Sequence, residues 1–245
     1  MIFSWINHRV LFRQRWGYKK GAMKADEFLA HEEDVVKPLY EKYKEEFFEK
    51  DIFDPIAIYG YYPCISHDNK LYIFGNEYAF NSLKEAQNVP PLEKAIKVFE
   101  FPRQTKAPYR CIADFFANDR LDVVAFTLAS SGLKITSYES ELYQNSEFSK
   151  YHQIHGLGVE LAEALAEVIH KQVRLDLDIV PKEGHTLYDV QMKQYVGCRY
   201  SPGYAACPDL EQSRDIFDLL KPEEFGITLS ETFQIHPEQS TTAIV

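Results

Sequence analysis

Cysteine is scarce in this sequence, and long apolar runs are missing. Its 245 residues include four cysteines, Cys64, Cys111, Cys198 and Cys207, and no two of them form a CxxC pair. This spacing excludes a zinc finger built on cysteine pairs. No apolar run has the length of a membrane span, and the first six residues are too short and too soon followed by charge to be a secretory leader. We therefore predict a cytoplasmic chain with reduced thiols.

Basic residues are fewer than acidic ones. The chain has 27 Lys and Arg against 37 Asp and Glu, which gives a formal net charge of −10. Such a chain repels phosphate backbones and anionic lipids, so we expect neither nucleic acid nor a membrane as a partner. The basic residues near the start form one local cluster, which is either a solvated face or a docking patch for an acidic protein. This basic cluster consists of Arg9, Arg13, Arg15, Lys19, Lys20 and Lys24.

Several catalytic signatures are absent. The sequence has no Gly-x-Gly-x-x-Gly motif and no P-loop, so it does not indicate a dinucleotide or nucleoside triphosphate site. It has no Gly-x-Ser-x-Gly elbow, and no cysteine has a histidine partner suited to nucleophilic catalysis. His152 and His155 lie three residues apart in a helical segment, but without a third ligand they are more simply explained as ordinary helix residues. We predict no catalytic side chain and no metal site.

The patterns that are present indicate an α+β domain. Segments rich in β-branched and aromatic residues are separated by turn residues, and other segments carry apolar residues at helical spacing. No repeat or flexible linker divides the chain, so we predict a single domain over residues 1–245. The predicted fold is a mostly antiparallel twisted sheet with helices packed around it. The predicted strands are 56–62, 70–74, 96–101, 121–129, 226–235 and 240–245, and the predicted helices are 25–50 (broken or kinked at Pro38), 138–174 and 209–220 (with Asp209 as N-cap).

One loop, from Gly197 to Asp209, combines several groups suited to ligand binding. Arg199 can grip a carboxylate with two parallel hydrogen bonds, and Gly203 can adopt dihedral angles closed to other residues. Tyr200 or Tyr204 can lie against a purine or another flat ring. Together these groups suit an amino-acid-bearing nucleotide. A tight structural turn with a surface arginine explains the same residues about equally well.

Glu163 is the second candidate site residue. The apolar face of its helix contains Leu157, Leu161 and Leu165, and at 100° per residue Glu163 lies on the opposite side, together with His170. From the spacing alone, a solvated face is the simpler interpretation. The alternative is that this face borders a cleft and offers a carboxylate to an ammonium or a ribose.

A set of short segments, in order along the chain, resembles the activation domain of vitamin B12-dependent methionine synthase. Any one of them is weak evidence, but the ordered set covers nearly the whole chain. The segments are Leu11-Phe12 with Trp16, IYGYYPC (58–64), FPRQ (101–104), CIADF (111–115), LAEALAE (161–167), RYSPGYAACP (199–208), LSETF (229–233) and PEQSTTA (237–243).

The resemblance implies a role in restoring an oxidised cofactor. In this family a partner domain holds cobalamin, which occasionally oxidises to inactive cob(II)alamin. The activation domain then presents S-adenosylmethionine, a flavodoxin-like or flavoprotein donor supplies an electron, and methylcobalamin is regenerated. By this resemblance the chain is a module of the 5-methyltetrahydrofolate–homocysteine methyltransferase of methionine biosynthesis, and alone it lacks full activity. It has no Asp-x-His-x-x-Gly motif, so the cobalamin is expected on the partner and not on this chain.

The resemblance also assigns ligand contacts. The family's Arg-x-x-x-Gly-Tyr signature matches Arg199, Gly203 and Tyr204, which implies that Arg199 binds the methionine carboxylate of the ligand. Gly203, Tyr204 and the backbone near Ser201 would then cradle the adenosine part, with Tyr204 close to where cobalamin docks. The family's ligand-side glutamate in the Leu-Ala-Glu-Ala helix matches Glu163.

Two positions depart from the family. An aspartate near the start, to which the resemblance assigns the ligand's ammonium, is replaced by Asn7, whose amide can accept a hydrogen bond but carries no charge. A tyrosine on the final strand, after a His-Pro pair, is expected beyond Val245. We therefore expect a fragment that lacks the last strand region, with an incomplete site and an unpaired sheet edge.

Three hypotheses follow. The first is an S-adenosylmethionine-binding module for reductive remethylation of a partner's cobalamin. The second is a docking module without activity, which the substitution at Asn7 and the missing tyrosine favour. The third is a free-standing reactivator of another corrinoid protein. Ligand binding separates the first from the second, and the neighbouring sequence in the parent gene separates the first from the third.

Overall fold

A computed structural model describes residues 2–179 and 196–245 of the chain. Its strands are β1 (Ile56–His67), β2 (Lys70–Ile73), β3 (Lys97–Glu100), β4 (Asp122–Ser130), β5 (Thr228–Leu229), β6 (Ile235–His236) and β7 (Ser240–Ile244). Five of them form one sheet in the order β3-β2-β1-β4-β7, in which all neighbours are antiparallel. The strands β5 and β6 form a separate antiparallel pair.

Helices surround this sheet. The α-helices are α1 (His8–Val10), α2 (Ala25–His31), α3 (Lys37–Glu49), α4 (Leu83–Ala86), α5 (Lys134–Gln144), α6 (Phe148–Asp176) and α7 (Gln212–Leu220). Two π-helical segments, Leu11–Arg15 and Glu32–Val36, follow α1 and α2. In the described part of the chain, no helix combines the length and the apolar character needed to cross a membrane.

The interior strand β4 explains how the helices are placed on the two faces of the sheet. Its side chains alternate, as the twofold period of a strand requires. Ala125 and Ala129 pack against α6, whereas Val124, Phe126 and Leu128 join the core that also contains α7. Because alanine is small, α6 can approach the sheet closely. The sheet therefore lies between a long helix on one face and a shorter helix on the other.

The predicted α+β class is confirmed, but some predicted boundaries are wrong. The segment 138–174 is two helices and not one, because Ser146 between them adopts a left-handed φ of 61°. The segment 226–235 is not one strand, because it contains β5 and only the first residue of β6, and a turn with Phe233 at φ 61° separates the two. Asp209 is not the N-cap of α7, which begins at Gln212. Its carboxylate accepts a hydrogen bond from the backbone N–H of Glu211 at 3.0 Å.

Pro38 does not end the helical segment 25–50. The helix passes from α2 through the π-helical segment into α3, and Pro38 lies in the first turn of α3. Proline lacks a backbone N–H, and this costs least in the first turn of a helix. The π-helical segment, which has a wider turn, ends directly before α3. The N-terminal helices and α5 then share one buried core with α6.

Candidate functional site

The glycine-containing loop predicted as a ligand site is fixed to the edge strand β7. The backbone N–H of Tyr200 donates to the Ile244 carbonyl at 2.9 Å, and the Ile244 N–H donates to the Tyr200 carbonyl at 2.8 Å. The next turn is closed by the Gly203 N–H, which donates to the Cys207 carbonyl at 2.8 Å. Gly203 has a φ of +89°, a conformation that side chains disfavour. The loop is therefore held in a defined position beside α6.

Arg199 reaches from this loop to two carboxylates on α6. Its Nη2 donates to Glu163 Oε2 at 2.9 Å and to Glu167 Oε1 at 3.0 Å. The two glutamates lie four residues apart, so they project from the same face of the helix. Burial alone would lower the pKa of the guanidinium, but the two carboxylates raise it above its ordinary value. Arg199 is therefore firmly charged and held by two partners.

These three side chains line a cavity of about 400 Å³ between α6, the loop and β7. Four of the residues assigned by resemblance meet here, namely Glu163, Arg199, Ser201 and Tyr204. Tyr204 is 70% exposed, so one side of the cavity opens to solvent. The fold thus brings together residues that are about 40 positions apart in the sequence. Their roles as ligand contacts stay predictions.

Gly203 and Asn7 are not among the residues that line this cavity. Gly203 lies within the turn described above. Asn7 is the N-cap of α1, where its side-chain oxygen accepts a hydrogen bond from the Val10 N–H at 3.3 Å. The structure gives Asn7 a local structural contact, and a contact of Asn7 with a ligand stays a prediction.

Glu160, one turn before Glu163, is a buried carboxyl that the sequence analysis missed. It is 5% exposed, and its Oε2 lies 3.6 Å from Nε of Arg15. Its carboxyl also accepts a hydrogen bond from the backbone of Asn7. Burial raises its pKa to about 7, Arg15 opposes this change, and the charge of Glu163 adds to it. The spacing of three residues from Glu163 was the available signal.

Two residues of the cavity wall, Glu167 and Thr241, lie outside the predicted loop and were missed, and Cys198 lies within that loop but was given no role. Glu167 could have been identified from its position one helical turn after Glu163. Cys198 is an exposed free thiol. Thr241 belongs to β7, the strand that follows the pair His236-Pro237, and it lies in the segment 237–243 that carries the family resemblance, although no side-chain pattern there assigns it to a site.

The solvated-face interpretation of this side of α6 is wrong for His170. This side chain is 1% exposed and does not lie on a solvated face. Its burial, together with Arg174 and Arg199, lowers its pKa to about 3, so it is neutral at physiological pH. The helix packs against the sheet and against the N-terminal segment, so a single apolar stripe does not describe it.

Fold and cavity together define an α+β domain in which a charged cavity lies between a long helix and the edge of an antiparallel sheet. A family model described as "Vitamin B12 dependent methionine synthase, activation domain" matches residues 39–245. The chain belongs to this family.

Individual relatives agree with this assignment. Methionine synthase of Mycobacterium tuberculosis is 33% identical over 98% of this chain, and that of Mycobacterium leprae is 33% identical over 99%. The chain spans 20% of the length of each, so it corresponds to one segment of such an enzyme. A solved structure, the MetH reactivation domain bound to AdoHcy, has the same fold with a TM-score of 0.79. It is 22% identical to this chain, and the match covers 99% of this chain and 74% of the other.

Proposed function

We propose that this chain binds S-adenosylmethionine in the cavity between α6, the Arg199 loop and β7, as a module of a cobalamin-dependent methionine synthase. The observation that carries the proposal is the position of Arg199, which is charged, held by two carboxylates and directed at a cavity of suitable size. The ligand named for the matched structure, AdoHcy, belongs to the same chemical class.

The residues of the cavity fit this ligand. A volume of about 400 Å³ lies within the usual range for small-molecule sites, roughly 300–1,000 Å³. Arg199 uses only Nη2 for its two glutamates, and among the described residues neither Nε nor Nη1 has a hydrogen-bond partner, so both remain available to a carboxylate. The exposed ring of Tyr204 offers a flat surface to a nucleobase.

This chain contributes binding and orientation to the proposed reaction. S-adenosylmethionine supplies an activated methyl group, and the cobalamin of the partner domain is the proposed acceptor. Arg199 fixes the amino-acid end of the ligand, and Glu163 and Glu167 keep the guanidinium in place. Tyr204 borders the open side, where a partner would close the cavity. Fixing two reactants in position is itself a large catalytic contribution, so this chain needs no general acid or nucleophile.

The proposal includes the partners. We assign the methyl acceptor to a cobalamin-binding domain, the electron to a flavodoxin-like or flavoprotein donor, and the assembly to the cytoplasm. Two exposed aromatic side chains on the loop side, Tyr204 and Phe115, support docking of another domain there. In the basic cluster, Arg13 is paired with Glu32 at 2.6 Å, whereas Lys19 and Lys20 remain exposed for an acidic partner.

Calorimetric titration with S-adenosylmethionine tests the proposal. We expect binding by the parent chain and a loss of about 10- to 100-fold in affinity for Arg199→Gln, since charge-assisted hydrogen bonds contribute about 1.5–3 kcal/mol. Arg120→Gln is the matched control, because Arg120 is exposed and, within the described residues, its ion pair is with the neighbouring Asp119. A folded parent that does not bind the ligand would refute the proposal. If that chain still bound the cobalamin-binding domain, the hypothesis of a docking module would replace the proposed function.

A further inference from the structure

The cavity carries an excess of negative charge. Of the described residues that line it, Glu163, Glu167 and Arg199 are the charged ones, so one cation faces two carboxylates. His170, one turn beyond Glu167, does not correct this balance, because its lowered pKa of about 3 keeps it neutral. The described wall therefore has a net charge of −1 and is complementary to a ligand with a net positive charge.

The excess charge is concentrated on Glu167. Its Oε1 accepts from Arg199, but its Oε2 is buried and has no hydrogen-bond partner among the described residues. The side chain of Glu167 is 23% exposed, against 37% for Glu163. Water therefore screens Glu163 better than Glu167. A buried carboxylate oxygen without a partner is costly, so this atom gains most from a cation placed in the cavity.

The methyl donor and its product differ by one charge. S-adenosylmethionine has a positive sulfonium. When its methyl group leaves as a cation equivalent, the electron pair of the C–S bond stays on sulfur, and the product S-adenosylhomocysteine is a neutral thioether. The amino acid and nucleoside parts are the same in both. Only groups that face the sulfur can therefore distinguish the two by charge.

We propose that Glu167 is the specificity-determining residue that makes this cavity prefer the sulfonium form, S-adenosylmethionine, over S-adenosylhomocysteine. This inference rests on the proposed function. Glu167 also gives the site a means of product release, because the attraction is lost when the methyl group leaves and the product then dissociates more readily. Glu163, with the same link to Arg199 but more exposure, contributes less to this preference.

Calorimetric titration of both ligands tests the inference. We expect the parent chain to bind S-adenosylmethionine about tenfold or more tightly than S-adenosylhomocysteine, as a partly screened unit charge a few ångströms away implies. Glu167→Gln should reduce this ratio to between about 1 and 3, chiefly through weaker binding of the sulfonium form. Glu163→Gln should change the ratio less. Glu45→Gln, an exposed position on α3, should leave both affinities unchanged.

Each outcome has a distinct meaning. A ratio that is the same in Glu167→Gln and the parent overturns the inference. An equal loss for both ligands also overturns it, because it places Glu167 at the ammonium group that both share. Failure of the parent to bind either ligand refutes the proposed function instead. Thermal unfolding of each variant, followed by circular dichroism, checks that a lost affinity does not come from a lost fold.

Discussion

The substitution Glu160→Gln should stabilise the chain at high pH and have little effect at low pH. Glu160 is almost fully buried, and burial raises its pKa from an ordinary value of 4.5 to about 7. Its Oε2 has no hydrogen-bond partner in the described residues, and the nearest cation, Arg15, is 3.6 Å away. Above pH 7 the fold must therefore hold a poorly compensated charge.

The direction in which stability changes with pH follows from proton binding in the folded and unfolded states. Below pH 4.5 the carboxyl is protonated in both the folded and the unfolded chain. Between pH 4.5 and 7 the unfolded chain releases this proton while the folded chain retains it, so stability falls as the pH rises. A pKa raised from 4.5 to about 7 corresponds to a loss of about 3 kcal/mol, complete above pH 7. Glutamine resembles the protonated carboxyl in shape and is never charged, so the variant escapes this loss.

Urea unfolding at pH 5 and pH 8 measures the effect. The variant should be more stable than the parent by less than about 1 kcal/mol at pH 5 and by about 1–3 kcal/mol at pH 8. Glu141→Gln, an exposed position on α5, should show no such pH-dependent difference. A lower stability of Glu160→Gln at pH 8, or a difference that does not depend on pH, would contradict a raised pKa of Glu160.

Three more predictions concern the ligand and the core. Cys198 should be the one rapidly labelled thiol of the four in a spectrophotometric assay, because the other three are buried, and saturating S-adenosylmethionine should slow its labelling. Gly158→Ala should lower the thermal midpoint, although alanine favours helices, because the new methyl group would collide with Ile135 and lie 3.0 Å from Gln239 Cγ. A midpoint at or above that of the parent would contradict this. Asn7→Asp should leave stability nearly unchanged, since both residues cap helices well, but should tighten S-adenosylmethionine binding in calorimetry if this position meets the ammonium.

Much of the fold could be predicted because it depends on local patterns. The strand predicted at 121–129 is observed at Asp122–Ser130, since its β-branched and apolar side chains alternate between two buried faces. The break between α5 and α6 could not be predicted in the same way. It depends on a left-handed Ser146, where the sequence has neither glycine nor proline.

The candidate site was only partly predictable, because helical spacing does not show what packs against a helix. Spacing alone favoured a solvated face for Glu163, whereas Arg199 approaches it from a distant loop. Resemblance to the family, and not periodicity, selected this residue. Glu167 and Glu160 lie on the same side of α6, but only burial and the contacts with Arg199 and Arg15 distinguish them from surface carboxylates.

The site combines a firmly held frame with an open side. Tyr200 pairs with β7 through two backbone hydrogen bonds, and the buried thiol of Cys207, whose pKa burial raises to about 12, donates to the side chain of Gln212. Tyr204 lies between these two anchors and yet is 70% exposed. An aromatic residue whose backbone is anchored and whose side chain is left uncovered is suited to contact a second surface. The partner domain should therefore increase the affinity for S-adenosylmethionine by closing the cavity over Tyr204, without rearranging the loop.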